Sequence, residues 1–166
     1  TIEYLKSEQY YFTLGVVDAA SSGLELPLKQ GGVGLARKIG IDLTIPYLLS
    51  PQSLIFCTDA DTIVSNEYLE KVCDYFYSND VQAAVVGFRH QTSNNNDLEK
   101  AIRNYESYLI ITAAKMKRAC SPYGYVSMGS TMVCTVAAYC AVGGMPRKKV
   151  LEDFYFLQEL TKYCGV

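Results

Sequence analysis

Two short apolar runs most narrowly limit the folds open to this chain. Residues 53–58 (Ser-Leu-Ile-Phe-Cys-Thr) and 83–88 (Ala-Ala-Val-Val-Gly-Phe) lack the polar alternation of a half-exposed strand. Continuous apolar runs of this length are typical of strands that helices cover on both faces of a parallel sheet. A β-rich run over 11–17 and another over 130–135 complete the set. The sequence therefore predicts four strands, of which the first is followed by the turn signal Ser21-Ser22-Gly23.

Helical periodicity fills the intervals between these runs. Leu35, Ile39 and Leu43 recur at the spacing of one helix face, and further apolar faces follow later in the chain. The first two predicted helices are a tail within 1–9 and a segment that begins at 33. The third is capped by Ser65 or Asn66 and has Leu69, Val72, Cys73 and Phe76 on its apolar face. Three more follow: a long helix over 98–119, a short one ending at Gly143-Gly144, and one over 152–163. Residues 24–32, with Pro27, are predicted to be loop. Such alternation predicts an α/β fold with a largely parallel sheet, in which ligands bind beyond the carboxyl ends of the strands.

Charge and cysteine usage limit the partners and the compartment. The 166 residues carry a net charge of -2 without a basic stripe, so we expect no nucleic-acid partner. No apolar run reaches the roughly 20 residues that span a bilayer, so no membrane segment is expected in this chain. Six cysteines without a C-x-x-C pair predict reduced, structural thiols, and their even number leaves disulfides as the alternative. We therefore expect a cytoplasmic location, either free or at the cytoplasmic face of a membrane.

Asp59-Ala60-Asp61 directly follows the run over 53–58. In an extended segment, residues i and i+2 point to the same side, so both carboxylates could hold Mg²⁺ or Mn²⁺. Such a cation would neutralise the charge that builds on a departing diphosphate. The alternative is a turn that caps the next helix, because D-x-D is common by chance. The position after a buried strand favours the metal site.

Three other positions can carry chemistry. Asp18 ends the first apolar run, where it can contact a nucleobase or ribose, or simply close an Asx turn. Glu152 and Asp153 open the last predicted helix; acids there favour the helix dipole, and either could act as a general base. Arg37 and Lys38 follow the glycine-rich residues 31–34 at a helix start, where a cation suits a phosphate. For Lys38, exposure at the surface is the simpler interpretation.

The order of these motifs resembles that of family 2 glycosyltransferases, from about residue 10 to residue 163. The motifs that carry the resemblance are Val16-Val17-Asp18, Ser21-Ser22-Gly23, Gly32-Val33-Gly34-Leu35-Ala36-Arg37-Lys38-Ile39-Gly40, Phe56-Cys57-Thr58-Asp59-Ala60-Asp61-Thr62, Gly129-Ser130-Thr131-Met132, Val142-Gly143-Gly144 and Glu152-Asp153. The resemblance implies a GT-A (Rossmann-like) fold: an α/β domain with a mixed, mostly parallel sheet flanked by helices. It also implies that residues 1–166 form a single glycosyltransferase-like domain that is incomplete at the N-terminus.

The resemblance further implies an activity. A sugar would pass from a nucleotide-diphosphate donor to a hydroxyl of a saccharide or other acceptor, with inversion, and with Mn²⁺ or Mg²⁺ as cofactor. Carried over by motif, the metal would be held by Asp61 and Asp59, the nucleotide sugar would contact Asp18, Arg37, Asp59 and Asp61, and the catalytic pair would be Asp153 as base with Glu152 as its neighbour.

The chain departs from the family pattern at several points. The opening strand and nucleotide loop of the family are absent, Ala19-Ala20 follows Asp18, Lys38 follows Arg37, and no Q-x-x-R-W motif occurs. These departures leave two alternatives open. One is a non-catalytic module that binds a nucleotide or a sugar. The other is a sugar nucleotidyltransferase, although the Glu152-Asp153 motif argues mildly against it.

Overall fold

A small antiparallel sheet with helices packed around it organises the computed structural model, which describes residues 2–26, 29 and 31–165. The elements in chain order are α1 (Ile2–Ser7), α2 (Val33–Thr44), β1 (Leu54–Phe56), α3 (Tyr68–Asn79), β2 (Ala83–Val85), α4 (Asn96–Arg118), β3 (Met132–Thr135), α5 (Val136–Ala141) and α6 (Glu152–Cys164). Short 3₁₀ turns cover Ile45–Tyr47 and Gly129–Thr131.

The direction of the strands corrects the predicted fold. β3 lies between β1 and β2 and pairs antiparallel with both, with Ile55 opposite Cys134 and Ala84 opposite Val133. The expected GT-A arrangement, a mixed and mostly parallel sheet flanked by helices, is therefore wrong. β1 and β2 do run in the same direction, but the intervening β3 keeps them from being neighbours. Periodicity within a run cannot distinguish these cases, because it reports burial and carries no information about the neighbouring strand.

The run over 11–17 does not form the predicted first strand. Residues 8–19 contain no helix or strand, and Tyr11, Phe12 and Val17 are exposed. A β-rich segment becomes a strand only where another strand accepts its backbone hydrogen bonds, and none does so here. Of the loop predicted over 24–32, Pro27 and residues 28 and 30 lie outside the described part of the chain.

The predicted helices form close to their expected positions. Asn95 caps α4 by accepting hydrogen bonds from the amides of Asp97 and Leu98, and Thr135 caps α5 through the amide of Ala138. The cap predicted at Ser65 or Asn66 is wrong, because α3 begins at Tyr68 and has no side-chain cap. Within the described residues, no helix combines the length and the apolar character needed to cross a membrane.

The core lies where β3 meets α5 and α6. All four residues of β3 are buried, and the rings of Tyr139 and Phe156 pack edge to face with their centroids 5.8 Å apart. The buried cluster consists of Ile55, Cys57, Met132, Cys134, Val136, Ala138, Tyr139, Met145, Phe156, Leu157 and Leu160. Because Phe156 and Leu157 belong to this cluster, the N-terminal half of α6 is fixed against the sheet.

Burial raises the pKa of the Cys57 thiol to about 11. All six cysteines, which lie in the described part, are free.

Candidate functional site

One guanidinium joins three segments that are far apart in the sequence. Arg37 in α2 donates from Nη1 to Oε1 of Glu152 at 2.6 Å and from Nη2 to Oδ1 of Asp59 at 2.5 Å. Asp59 follows β1, and Glu152 is the first residue of α6. The structure therefore brings together three of the residues that the sequence singled out. We call Arg37, Asp59 and Glu152 the charged cluster.

Glycines allow the backbone to approach the charged cluster closely. A Cβ at Gly129 would lie 2.5 Å from Nη1 of Arg37, closer than any side chain could stay. At Gly34, a Cβ would lie 2.6 Å from the carbonyl oxygen of Pro146 and 2.8 Å from Cβ of Glu152. The glycines before Arg37 thus let α2 pack against residues 146–149 and the start of α6. Sequence reasoning missed this steric role, for which the pattern Gly32-Val33-Gly34 was the available signal.

The two ion pairs of the charged cluster differ in exposure. The side chains of Arg37 and Glu152 retain only 13% and 10% of their accessible surface, whereas Asp59 retains 48%. Removing one partner of a buried pair leaves an uncompensated charge and costs about 3–5 kcal/mol. A pair open to water contributes only about 0–1 kcal/mol. Breaking the Arg37–Glu152 contact should therefore cost more than breaking the Arg37–Asp59 contact, because only Asp59 can take water in exchange.

The Asp59-Ala60-Asp61 triplet forms a turn. The amide of Thr62 donates to the carbonyl oxygen of Asp59 at 3.0 Å, and Ala60 and Asp61 occupy the turn. The segment is therefore not extended, and the expectation that its backbone places both carboxylates on one side is wrong. Asp61 is exposed, and Nε2 of Gln91 lies 3.5 Å from its backbone carbonyl oxygen. The carboxylate of Asp61 is thus accessible to a ligand from solvent.

A strained residue, Leu151, immediately precedes α6. Leu151 has φ 60° and ψ 24°, in the left-handed region that a residue with a Cβ seldom adopts. Such backbone costs about 1–3 kcal/mol and persists where surrounding contacts fix it. Here the Glu152–Arg37 pair supplies one such contact. The next residue, Asp153, is half-buried, and its Oδ1 accepts a hydrogen bond from the amide of Phe154 at 2.7 Å.

Asp18 belongs to a separate turn. Its Oδ1 accepts hydrogen bonds from the amides of Ala20 at 3.2 Å and Ser21 at 3.0 Å. Together with the Ser21 hydroxyl, which contributes most, these donors hold the pKa of the Asp18 carboxyl below its usual value. This is the Asx-turn geometry that the sequence offered as the alternative for Asp18. None of the hydrogen bonds or ion pairs found for Asp18 in the described residues joins it to the charged cluster.

The next residue of α2 makes a second polar contact on the other side of the helix. Lys38 pairs with Oδ2 of Asp42 at 3.0 Å, and the hydroxyl of Tyr139 donates to Oδ1 of Asp42 at 2.7 Å. Burial raises the pKa of the Tyr139 hydroxyl well above its usual value, so this group stays a donor. Asp42 therefore ties α2 to α5 through Tyr139, and its partner Lys38 is mostly enclosed, although the sequence favoured an exposed position for Lys38.

Asp59 and Asp61 are the two carboxylates that the sequence assigned to a metal ion, and both are exposed. The part of the chain that the structure describes holds no group of three or more His, Cys, Asp or Glu residues able to bind a metal ion. Mg²⁺ commonly takes one or two carboxylates and completes its shell with water and substrate phosphates. An exposed carboxylate such as that of Asp59 has the donor chemistry for a divalent cation that arrives with a diphosphate.

Two clefts adjoin α6, and neither is lined by the charged cluster. One of about 430 Å³ is bordered by Lys38, Gly143, Tyr155 and Glu159, among others. Another, of about 310 Å³, lies between β2, residues 121–125 and the second half of α6. Asp59 keeps about half of its side-chain surface exposed to solvent, so a ligand that accepts a hydrogen bond from Nη2 of Arg37 would compete with this carboxylate.

Comparison of the chain with protein-family models, with curated protein sequences and with solved structures found no significant match.

Proposed function

We propose that this protein is a metal-dependent glycosyltransferase that moves a sugar from a nucleotide-diphosphate donor to an acceptor hydroxyl with inversion. The observation that carries the proposal is the pair of salt bridges from Arg37 to Asp59 and Glu152. They bring the acidic turn after β1 next to the start of α6, where Asp153 lies. The proposal rests on this local chemistry and on the order of the motifs. It does not rest on the overall fold.

Each residue has a stated role in the proposed reaction. Asp61 and Asp59 would bind Mn²⁺ or Mg²⁺ together with the donor diphosphate, and Asp18 would contact the nucleobase. When bound, the cation supplies charge neutralisation for the departing diphosphate. Arg37 would donate hydrogen bonds to the same diphosphate, because a guanidinium suits the paired oxygens of phosphate groups.

Asp153 would act as the general base, with Glu152 as its neighbour. The acceptor oxygen forms a bond to the anomeric carbon as the bond from that carbon to the diphosphate oxygen breaks. The bonding electrons leave with the nucleotide diphosphate, and the acceptor proton passes to the carboxylate of Asp153. Because Oδ1 of Asp153 accepts from the Phe154 amide, Oδ2 is the oxygen that would receive this proton. Glu152, paired with Arg37, would keep the start of α6 in place.

The direct test measures transfer of sugar from UDP- and GDP-sugar donors, with Mn²⁺ or Mg²⁺ present, in the protein and two variants. Loss of a general base lowers rates by about 10²–10⁴-fold, so Asp153→Asn should reduce kcat by that range. Asp61→Ala should raise the metal concentration needed for half-maximal rate. Asp74→Asn, on the exposed surface of α3, is the matched control and should leave both quantities unchanged. Full activity in both site variants would make the assignment wrong.

One observation favours a second function, that of a non-catalytic module for nucleotides or sugars. Asp59 is already neutralised by Arg37, and one carboxylate oxygen of Asp153 is engaged by its own helix. A site of this kind can bind without performing chemistry. Calorimetry with UDP or GDP and Mn²⁺ separates the two functions, since binding without turnover of any sugar donor favours the module.

A further inference from the structure

The guanidinium of Arg37 uses two nitrogens, which we call its Nη1 arm and its Nη2 arm, and their partners differ in burial. Nη1 of Arg37 is held by Glu152, which is buried at the start of α6. Nη2 is held by Asp59, which is half exposed to solvent. If the Arg37–Asp59 contact breaks, water can hydrogen-bond to the exposed Asp59 carboxylate at little cost. If the Arg37–Glu152 contact breaks, the buried Glu152 carboxylate is left unpaired.

We propose that Arg37 is a displaceable counter-ion that masks Asp59 until a diphosphate binds. The incoming diphosphate takes the Nη2 arm, and Asp59 is released to the cation that accompanies the ligand. The Nη1 arm stays on Glu152 throughout. This inference rests on the proposed function only for the ligand class, since any diphosphate offers the oxygens that the exchange requires.

The chemistry of the guanidinium makes such an exchange feasible. Its donors form a rigid planar fork, so one edge can hold a carboxylate while another turns to a phosphate oxygen. A lysine ammonium is a point charge and cannot span Glu152 and a second anion in the same manner. The exchange also leaves Nη2 of Arg37 with an anionic partner, because a phosphate oxygen replaces a carboxylate oxygen.

Gly129 positions the guanidinium of Arg37. A Cβ at this position would lie 2.5 Å from Nη1 and 2.7 Å from Nη2. The absent side chain leaves the backbone of residue 129 directly against Arg37, which fixes where the guanidinium lies without adding a competing charge. Gly129 is a positioning residue in this scheme.

The first experiment measures binding of Mn²⁺ alone by electron paramagnetic resonance, without any nucleotide. Arg37→Gln should bind Mn²⁺ about two- to five-fold more tightly, because Asp59 is no longer neutralised. Lys71→Gln is the matched control, since it also removes a cation paired with a carboxylate, in this case Glu67 on an exposed surface. Equal Mn²⁺ affinity in Arg37→Gln and Lys71→Gln would overturn the proposal.

The second experiment works in the opposite direction and leaves Glu152 paired. Asp59→Asn should bind inorganic pyrophosphate without metal about two- to five-fold more tightly than the unaltered protein, because the Nη2 arm is free. Asp74→Asn controls for the general loss of one negative charge. If the two variants bind pyrophosphate equally, the proposal is wrong. This variant decides the question should Arg37→Gln fail to fold.

The outcomes separate this inference from the proposed function. Tighter pyrophosphate binding in Asp59→Asn, without transfer of any sugar, would support the displaceable counter-ion and contradict the transferase. Sugar transfer together with unchanged binding in both variants would support the transferase and contradict the counter-ion. Arg37→Lys adds a further check, because it should restore less than half of the pyrophosphate affinity that Arg37→Gln loses.

Discussion

Helices α4 and α6 show how differently the same sequence signal is used in this protein. Both have apolar residues at helical spacing and acidic residues in the first turn. α6 buries Phe156, Leu157 and Leu160 against the sheet and α5. None of the 23 residues of α4 is buried, and Leu98 and Tyr105 keep more than half of their surface exposed. An amphipathic pattern therefore predicts that a helix has an apolar face, and it leaves open whether another element covers that face.

Polar contacts, rather than buried apolar residues, attach α4 to the rest of the protein. Arg103 donates to Glu99 at 2.8 Å, to Glu106 at 2.5 Å and to the carbonyl oxygen of His90 at 2.8 Å. The amide of His90 in turn donates to Glu106 at 2.6 Å. This network fastens the loop after β2 to the helix. Its strength depends on charge, whereas that of α6 depends on buried apolar area.

The largest effect on the free energy of unfolding should come from truncating a buried side chain on α6. The matching change on α4 should have little effect. Phe156→Ala removes a ring that is 1% exposed and should lower the free energy of unfolding by about 3–5 kcal/mol. Tyr108→Ala, on the exposed side of α4, should change it by about 0.5 kcal/mol or less. Urea denaturation measures both. Similar losses in the two variants would mean that α4 is packed in solution.

A smaller effect tests whether the tight packing around α6 extends to the charged cluster. Gly129→Ala places a methyl group on the guanidinium of Arg37 and should destabilise the protein by about 1–3 kcal/mol. Gly40→Ala is the matched control, because nothing lies within 4 Å of the added Cβ. In the interior of α2 it should stabilise the protein by up to about 1 kcal/mol. Denaturation midpoints that shift in the same direction for both variants would contradict the observed geometry.

The smallest effect concerns the pH dependence of the network on α4. The amide of His90 and the neighbouring side chains hold the pKa of Glu106 below its usual value. A lowered folded-state pKa means that the network stabilises the fold above the ordinary glutamate pKa. This contribution is lost as the pH falls below about 4.3 and through the folded-state value. In an NMR titration, the His90 amide resonance should move through this acidic window, because its amide donates to the Glu106 carboxylate, while that of Phe156 stays constant there.

The variant Glu106→Gln provides the control for this titration. It should abolish the acidic movement of the His90 resonance, because the titrating carboxylate is gone. An acidic movement of the His90 amide resonance that is as large in Glu106→Gln as in the unaltered protein would assign the network to another group.

The sequence predicted individual elements better than their arrangement. Helical periodicity located α2, α3, α4 and α6, because the spacing of apolar residues along a helix is a local property. The runs at 53–58 and 83–88 did contain β1 and β2. Their parallel pairing was predicted wrongly, since the direction of a neighbouring strand is decided by the whole chain. The strand expected over 11–17 is missing for the same reason: a strand needs a partner.

The charged cluster was predictable as a set of residues and unpredictable as a geometry. Arg37, Asp59 and Glu152 were singled out from their local motifs, yet no local pattern says that one guanidinium links the other two. The same limit applies to Gly129, whose role depends on a side chain 92 positions earlier in the chain.

The sequence by itself determined which segments form helices, which residues are apolar, and where acidic residues follow apolar runs. These properties depend on backbone propensity and on spacing within a few residues. Only the tertiary structure decided that β3 runs antiparallel between β1 and β2, that α6 is buried while α4 is not, and that Arg37 bridges Asp59 and Glu152. These outcomes depend on contacts between segments that are distant in the sequence. Such contacts form, and contribute to stability, only when the whole chain folds.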